Sequence, residues 1–321
     1  MKKQIKYIIC LSLGVGMLSY SCNKELLSPV PQTSVSDATS FDTPARIANQ
    51  VNSMYQAFKS GNFYGGRAQI AGDIIGEEFL NETTNLVTGA DVWNLNPTGT
   101  STNFVKNMWA QAYYAINICN LFIDGMATLA NNYNGEARLI RATIYLELLQ
   151  HYARPYADGN GSKPGLPLRL TGIKESGASA LARSTVAEVY TQILSDLNFA
   201  ETNLPLTYAS AILNTTRAHR NTAIALKSRV YLAMQNYPAA VTEATKIVPQ
   251  ATAPFSATTG VAHALQANIV NVFRAPYSTT ESILSMPMTA TAGDNPGTQN
   301  QLGFYFAKST GNGEFSLNPS G

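Results

Sequence analysis

Thiols, carboxylates and imidazoles are the side chains of this 321-residue sequence that could do chemistry, and their spacing decides which of them do. Cys22 stands at the end of a basic start (Met1-Lys2-Lys3-Gln4-Ile5-Lys6), an apolar run (Tyr7 to Met17) and the small residues Ser19-Tyr20-Ser21. That order reads as a bacterial lipoprotein signal, with Cys22 as the lipid attachment point. The apolar run is too short to cross roughly 30 Å of bilayer hydrocarbon, which disfavours a retained transmembrane helix. An ordinary cleaved secretory signal is the alternative. Cys10 lies within the signal, so Cys119 is left without a partner for an internal disulfide and reads as a small buried apolar residue of a helix. His151, His219 and His263 stand far apart, none with a second ligand at metal spacing, so no metal and no cofactor is expected. Asp73, Glu77 and Glu78 come nearest to an acid pair. Glycoside hydrolysis, however, needs two carboxyl groups facing each other across the scissile bond, which adjacent residues do not normally supply. No nucleophile elbow, phosphate loop or metal-binding helix motif occurs, and no catalytic residue is expected.

Charge narrows the partners. The net charge is +2 and only 13% of residues are charged, so the electrostatic footprint of a nucleic-acid binder is missing. The composition is rich in Ala, Asn, Thr, Ser and Tyr. Such a surface suits uncharged ligands better than ionic ones.

The elements that must position any site are mostly helical. Residues 1–21 form the signal, and 22–42, with two prolines between 23 and 40 and no apolar period, read as a lipidated tether. Fully extended, the stretch 23–40 would reach about 60 Å. Thr43 and Pro44 open a helix whose stripe is Ile47, Val51, Met54, Tyr55 and Phe58. Residues 62–100 lose the period and read as a long irregular excursion, of the kind that is usually functional. A helix over about 103–129 and a partner over 136–152, which stops at Arg154-Pro155, form an antiparallel pair. Thr185 and Glu188 make a capping box for a helix reaching Pro205. Two alanine-rich helices opening at Asn221 and Pro238 match the size of a tetratricopeptide unit of about 34 residues. The expected fold is therefore mainly α: a tetratricopeptide-like helical-repeat scaffold over 43–250, with long irregular loops. An irregular bundle without repeats is the alternative. Beyond about Gln250 the period fades, Ser282 to Met288 alternate like a strand, and 251–321 read as a short, incomplete C-terminal region.

Several stretches together resemble the SusD/RagB family of surface lipoproteins of Bacteroidetes. They are Cys22-Asn23-Lys24-Glu25-Leu26-Leu27-Ser28-Pro29 with Pro31-Gln32-Thr33, then Trp109 to Asn120 with its Trp, Tyr, Ile and Asn positions, and then Glu136-Ala137-Arg138-Leu139-Ile140-Arg141-Ala142 followed by Tyr145 and Tyr152. The helix from Thr185 to Leu204 and the pair from Ala225 to Val248 continue the likeness, and Glu281 to Met286 adds an echo of the family's second half. Members normally run well past this length, so the chain resembles the N-terminal half plus part of the rest.

The resemblance implies binding without catalysis: a lipid-anchored protein of the cell outer membrane, facing outward. It would work with a SusC-like TonB-dependent transporter and take up an oligosaccharide, a polysaccharide or another nutrient. Such a site stacks sugar faces on aromatic rings beside short hydrogen-bonding side chains. Tyr64 and Trp93 are the loop aromatics to consider, with Asp73, Asn94 and Asn96 as polar neighbours. Trp109 reads as a core or loop-supporting residue, and Arg138 and Arg141 as partners in structural ion pairs or caps. A helical-repeat scaffold that binds a protein or peptide and has no glycan site of its own is the alternative.

Overall fold

The computed structural model describes residues 39–83, 89–98, 100–126, 131–175, 177, 180–274, 278–289, 297–309 and 311–319. Cys22, the signal and most of the tether lie outside the described residues. Residue contacts divide the chain into two compact units, Met1–Ile47 and Ala48–Gly321. In the first, Arg46 donates to the Thr39 carbonyl (3.0 Å) and pairs with Asp42 (3.8 Å), an exposed ion pair worth little in water.

Helix α1 spans Pro44–Phe58, entered through Thr43, whose hydroxyl accepts from Arg46 N (3.3 Å). Its buried side chains Val51, Met54, Tyr55 and Phe58 belong to the stripe expected from their spacing. The excursion that follows is more ordered than its composition implied. It contains α2 (Arg67–Ile75), the short strand β1 (Phe79–Asn81) and the single turn α3 (Ala90–Trp93). A π-helical stretch, Thr102–Asn107, leads into α4 (Met108–Gly125), and α5 (Asn131–Tyr152) returns beside it.

Helix α6 (Val186–Asn203) starts at the expected capping box: Glu188 N donates to Thr185 Oγ1 (3.2 Å) and Thr185 N to Glu188 Oε2 (2.7 Å). After the short α7 (Leu213–Thr216) come α8 (Arg220–Ala233) and α9 (Tyr237–Thr245). Asn236 caps α9 by accepting from Ala239 N (3.2 Å), and Pro238 sits in its first turn. Gln235, in the left-handed region at φ 59°, closes the connection between the two helices. Each long helix packs on the next: α4 on α5, α5 on α6, α6 on α8 and α8 on α9. This stacking of helical pairs is the tetratricopeptide-like architecture, in which no pair buries its apolar face alone. The single turn α10 (Leu302–Phe306) and the strand β2 (Phe315–Leu317) follow. β2 pairs antiparallel with β1, Leu80 opposite Ser316. Ser282 to Met288, which alternate like a strand, form no ladder. They run as turns and extended chain, and Ile283, Leu284 and Met286 line a groove together with residues of α8.

Charge is used to join the helices. Asp196 of α6 is fully buried and accepts from Arg141 Nε (2.9 Å) and Nη2 (2.8 Å) and from Arg138 Nη1 (3.1 Å) of α5. Arg141 Nη1 also donates to Asn120 Oδ1 of α4 (2.7 Å). Three helices thus meet at one guanidinium. Asn120 turns its own amide to the carbonyls of Arg169 (3.0 Å) and Thr171 (3.2 Å), outside the helices. Earlier on α5, Glu136 takes a bidentate grip from Arg217 (both 2.6 Å) and a hydrogen bond from the Tyr55 hydroxyl (2.8 Å), tying α1, α5 and the loop before α8 together. Lys227 of α8 pairs with Glu201 of α6 and with Glu243 of α9 (2.9 Å). Cys119 is buried, and burial pushes its thiol up to about 12, so it packs as an apolar residue and stays protonated.

Removing the anion at this junction leaves a buried guanidinium unpaired. Asp196→Ala is expected to cost about 3–5 kcal/mol in a denaturant titration, whereas Thr185→Ala, which removes only a cap, is expected to cost about 1 kcal/mol. Equal losses from the two would show that the buried pair does no more than an exposed cap.

Candidate binding site

The helix face that carries Trp109, Tyr113, Asn117, Asn120 and Asp124 explains its own residue types. Residues 164–173 lie along it as a strap. The Tyr113 hydroxyl donates to Pro167 O (2.9 Å), and Asn117 exchanges two bonds with the Ile173 backbone (3.0 and 2.7 Å). Gly172 N donates to Asp124 Oδ2 (2.7 Å). Tyr145 accepts from Arg169 N (2.7 Å) and donates to its carbonyl (2.9 Å). Spacings of four, four, three and four place these groups on one side of α4. Trp109 packs on Tyr113 (4.7 Å) and edge-on to Tyr152 (5.1 Å), the supporting role its place on the helix implied.

The excursion is packed against the C-terminal elements. Ile70, Ala71, Ile74, Val92 and Phe104 form an apolar cluster with Tyr305 and Phe315, and Phe79, Trp93, Phe304 and Phe306 pack onto it partly buried. Trp93 is half-buried, its ring 5.3 Å from that of Phe315 and tilted by 36°. Phe315 is in turn held by Phe306 (5.8 Å) and Tyr305 (6.3 Å). The indole is therefore backed by an aromatic wall and still reaches solvent.

The chain beyond it turns sharply. Asn94 N donates to Ala90 O (2.9 Å), Asn96 N donates to Asp91 O (2.9 Å), and Leu95 between them takes φ 52°. Asn94 and Asn96 are exposed, and among the described residues their carboxamides make no hydrogen bond. Asp73 stands exposed on α2, which packs on α3. Loss of hydration and the neighbouring Glu78 raise its carboxyl above the usual carboxylate range. Beside the Asn94–Asn96 turn lies an apolar groove of about 290 Å³, lined by Ile75, Val92, Leu95, Pro97, Phe104 and Tyr152 among others.

Tyr64 is elsewhere. Its ring stacks on Phe58 at 4.4 Å and 17°, and it lines a different groove of about 300 Å³ with Thr143, Arg229, Glu281, Ile283 and Met286. Burial raises its hydroxyl, the Glu147 carboxylate adds to this, and Arg229 opposes it. Of the five residues singled out as ligand contacts, four thus fall in the α2–α3 region and one does not. The aromatic backing from Tyr305, Phe306 and Phe315 was not foreseen. The run Leu302-Gly303-Phe304-Tyr305-Phe306 was its one visible signal. Among the described residues no group of three or more His, Cys, Asp or Glu could hold a metal ion, and no helix is long and apolar enough to cross a membrane.

Because the sequence has two tryptophans, Trp93 can be read alone in a Trp109→Phe background. Adding Phe315→Ala is expected to red-shift the Trp93 emission and raise its quenching by acrylamide, with about 3 kcal/mol lost on unfolding. An unchanged spectrum would show that Phe315 does not hold the indole.

A family profile described as starch-binding, associating with the outer membrane, matches residues 27–232. A SusD superfamily protein from Bacteroides fragilis is similar at 29% identity and a TM-score of 0.74, over 88% of this chain and 63% of that one. A second, from Bacteroides vulgatus, is similar at 21% identity and a TM-score of 0.72, over 86% and 61%. A laminarin-binding SusD-like protein shares the fold at 20% identity and a TM-score of 0.57, over 75% and 50%. The chain spans less than two thirds of the length of each of these solved relatives. A search of curated proteins gave no match. The profile covers more than half of the chain, and its helical pairs superpose on the superfamily's: the chain belongs to the SusD-like family.

Proposed function

We propose that the protein binds a neutral glycan at the cell surface through Trp93, Asn94 and Asn96, with Asp73 at the margin, and does no chemistry on it. One observation carries this reading: a half-exposed indole, backed by Phe315, beside two exposed carboxamides that the described protein leaves without hydrogen bonds. A sugar offers an apolar face to the ring and hydroxyls to the amides, and such a site needs no charge. The family's description and the name of the laminarin-binding relative support the ligand class. Tyr64 has no place in this site and is proposed to touch ligand only through its own groove.

The same reading assigns residues 1–21 to the signal, acylation to Cys22 and a tether to 22–42, with the repeats at 43–250 and the partial C-terminal region at 251–321. It places the protein on the outer face of the outer membrane beside a SusC-like TonB-dependent transporter, which would accept the captured saccharide.

A soluble form lacking residues 1–22 is expected to be retarded saturably in native gels containing one polysaccharide of a panel that includes starch and laminarin. Trp93→Ala is expected to weaken that binding at least about tenfold, a loss of about 1.4 kcal/mol, while Trp109→Phe leaves it unchanged. Unaltered mobility across the panel would favour the peptide-binding reading. Mass spectrometry of the mature N-terminus is expected to find diacylglycerol and a fatty acid on Cys22, and an unmodified N-terminus would refute the anchor.

A further inference from the structure

Two of the three histidines, remote in sequence, meet in the fold. The rings of His219 and His263 stack at 5.2 Å and 22°. Both residues are buried, and the second nitrogen of each ring, Nδ1 of His219 and Nε2 of His263, is sealed from solvent. Each ring bonds the backbone of one segment through its other nitrogen: His219 Nε2 lies 3.1 Å from Ile283 O, and His263 Nδ1 lies 3.2 Å from Thr280 O. That segment is one wall of the Tyr64 groove, to which it contributes Glu281, Ile283, Leu284 and Met286. Its other ties include Ala264 N to Thr280 O (3.0 Å), Thr280 Oγ1 to Ala264 O (3.0 Å), Gln266 Nε2 to Thr280 Oγ1 (2.7 Å), Gln266 N to Glu281 Oε2 (2.8 Å) and Ser285 N to Thr215 O (2.6 Å).

We propose that the stacked His219–His263 pair is a pH-sensitive latch, which holds residues 280–286 as a wall of the Tyr64 groove while both rings are neutral and releases them when the rings take up protons. A proton on either ring puts a cation beside its neighbour in a site sealed from water, and His219 stands at the N-cap of α8, the positive end of that helix, without a side-chain cap bond. Among the described residues no carboxylate pairs with either ring. Of the charged groups on the surrounding elements, Arg217 is held by Glu136, and Lys227 and Lys246 by Glu201 and Glu243. Arg220 follows His219 directly and adds only positive charge, Arg229 faces Tyr64, and the Glu281 carboxylate accepts from Gln266. Burial, then the neighbouring His263, lowers His219 to about 4, and burial lowers His263 as well. The sign follows. A freed imidazole binds a proton near pH 6.5 while the latched one refuses it, so the latch is at full strength above that value and weakens as pH falls from about 6.5 towards 4.

Hydrogen exchange of the folded chain at pH 7.5 and 5.5, corrected for the intrinsic pH dependence of exchange, tests this. Peptides covering 280–286 are expected to lose about tenfold in protection at the lower pH while α5 keeps its own. In the His219→Gln/His263→Asn variant, whose amides supply the same donors without titrating, the loss is expected to vanish. Equal corrected protection at both pH values, or an undiminished loss in the variant, would overturn the latch. Should the variant not fold, an NMR titration of the wild-type imidazoles decides: two rings titrating near 6.5 with the 280–286 signals unmoved would also overturn it.

Discussion

The contact between Arg141 and Asp196 is the constraint from which the rest of the architecture follows. A fully buried carboxylate must find donors, and Asp196 finds them only when α5 lies against α6 in one register, with Arg138 and Arg141 one turn apart on the facing side. The guanidinium has donors to spare, and one goes to Asn120, which sets α4. Burying such a pair gains little net stability, since desolvation of two charges offsets most of their attraction. What it secures is geometry: the wrong register leaves a charge unpaired, a cost of several kcal/mol that apolar contacts slipping along a helix would not impose.

That geometry is passed outward. Asn120 and Arg141 reach the strap at residues 169–171, and Tyr113, Asn117, Asp124 and Tyr145 fasten the remainder to the same helices. The π-helical stretch before α4 brings Phe104 under the excursion, where it joins Ile70, Ile74 and Val92. The C-terminal aromatics close this cluster from the far side and put Phe315 behind Trp93. A ring proposed to meet a ligand needs something behind it, and the backing of Trp93 comes from an element more than two hundred residues away in sequence.

What could be read before the structure and what could not divide along that line. Stripes such as Val51, Met54, Tyr55 and Phe58, the Thr185–Glu188 box and the Asn236-Tyr237-Pro238 corner are local signals, written within a few turns of one helix, and the structure has them. Helix α2 was missed because it starts after Gly65-Gly66 without a side-chain cap and carries Gly72 in its middle, both marks of irregular chain. The β1–β2 pair was missed because three-residue strands have no readable period and their partnership is nonlocal. Ser282 to Met288 alternate, yet they form no ladder and Ile283, Leu284 and Met286 line a groove beside α8, an outcome that alternation alone cannot distinguish from a strand. For the proposed site, residue types point to Trp93, Asn94 and Asn96, but only the fold separates them from Tyr64 and shows the wall behind the indole. The two histidines gave no signal at all, since stacking across loops leaves no spacing rule.

The central claim is that an aromatic ring held from behind, with unengaged carboxamides beside it, is where a neutral saccharide sits. A crystal structure of the soluble protein soaked with an oligosaccharide from the polysaccharide it retains tests this most directly. The account predicts a pyranose ring lying over the Trp93 indole with hydroxyls bonded to Asn94 and Asn96. Sugar density on another surface, with the Trp93 face bare, would contradict it.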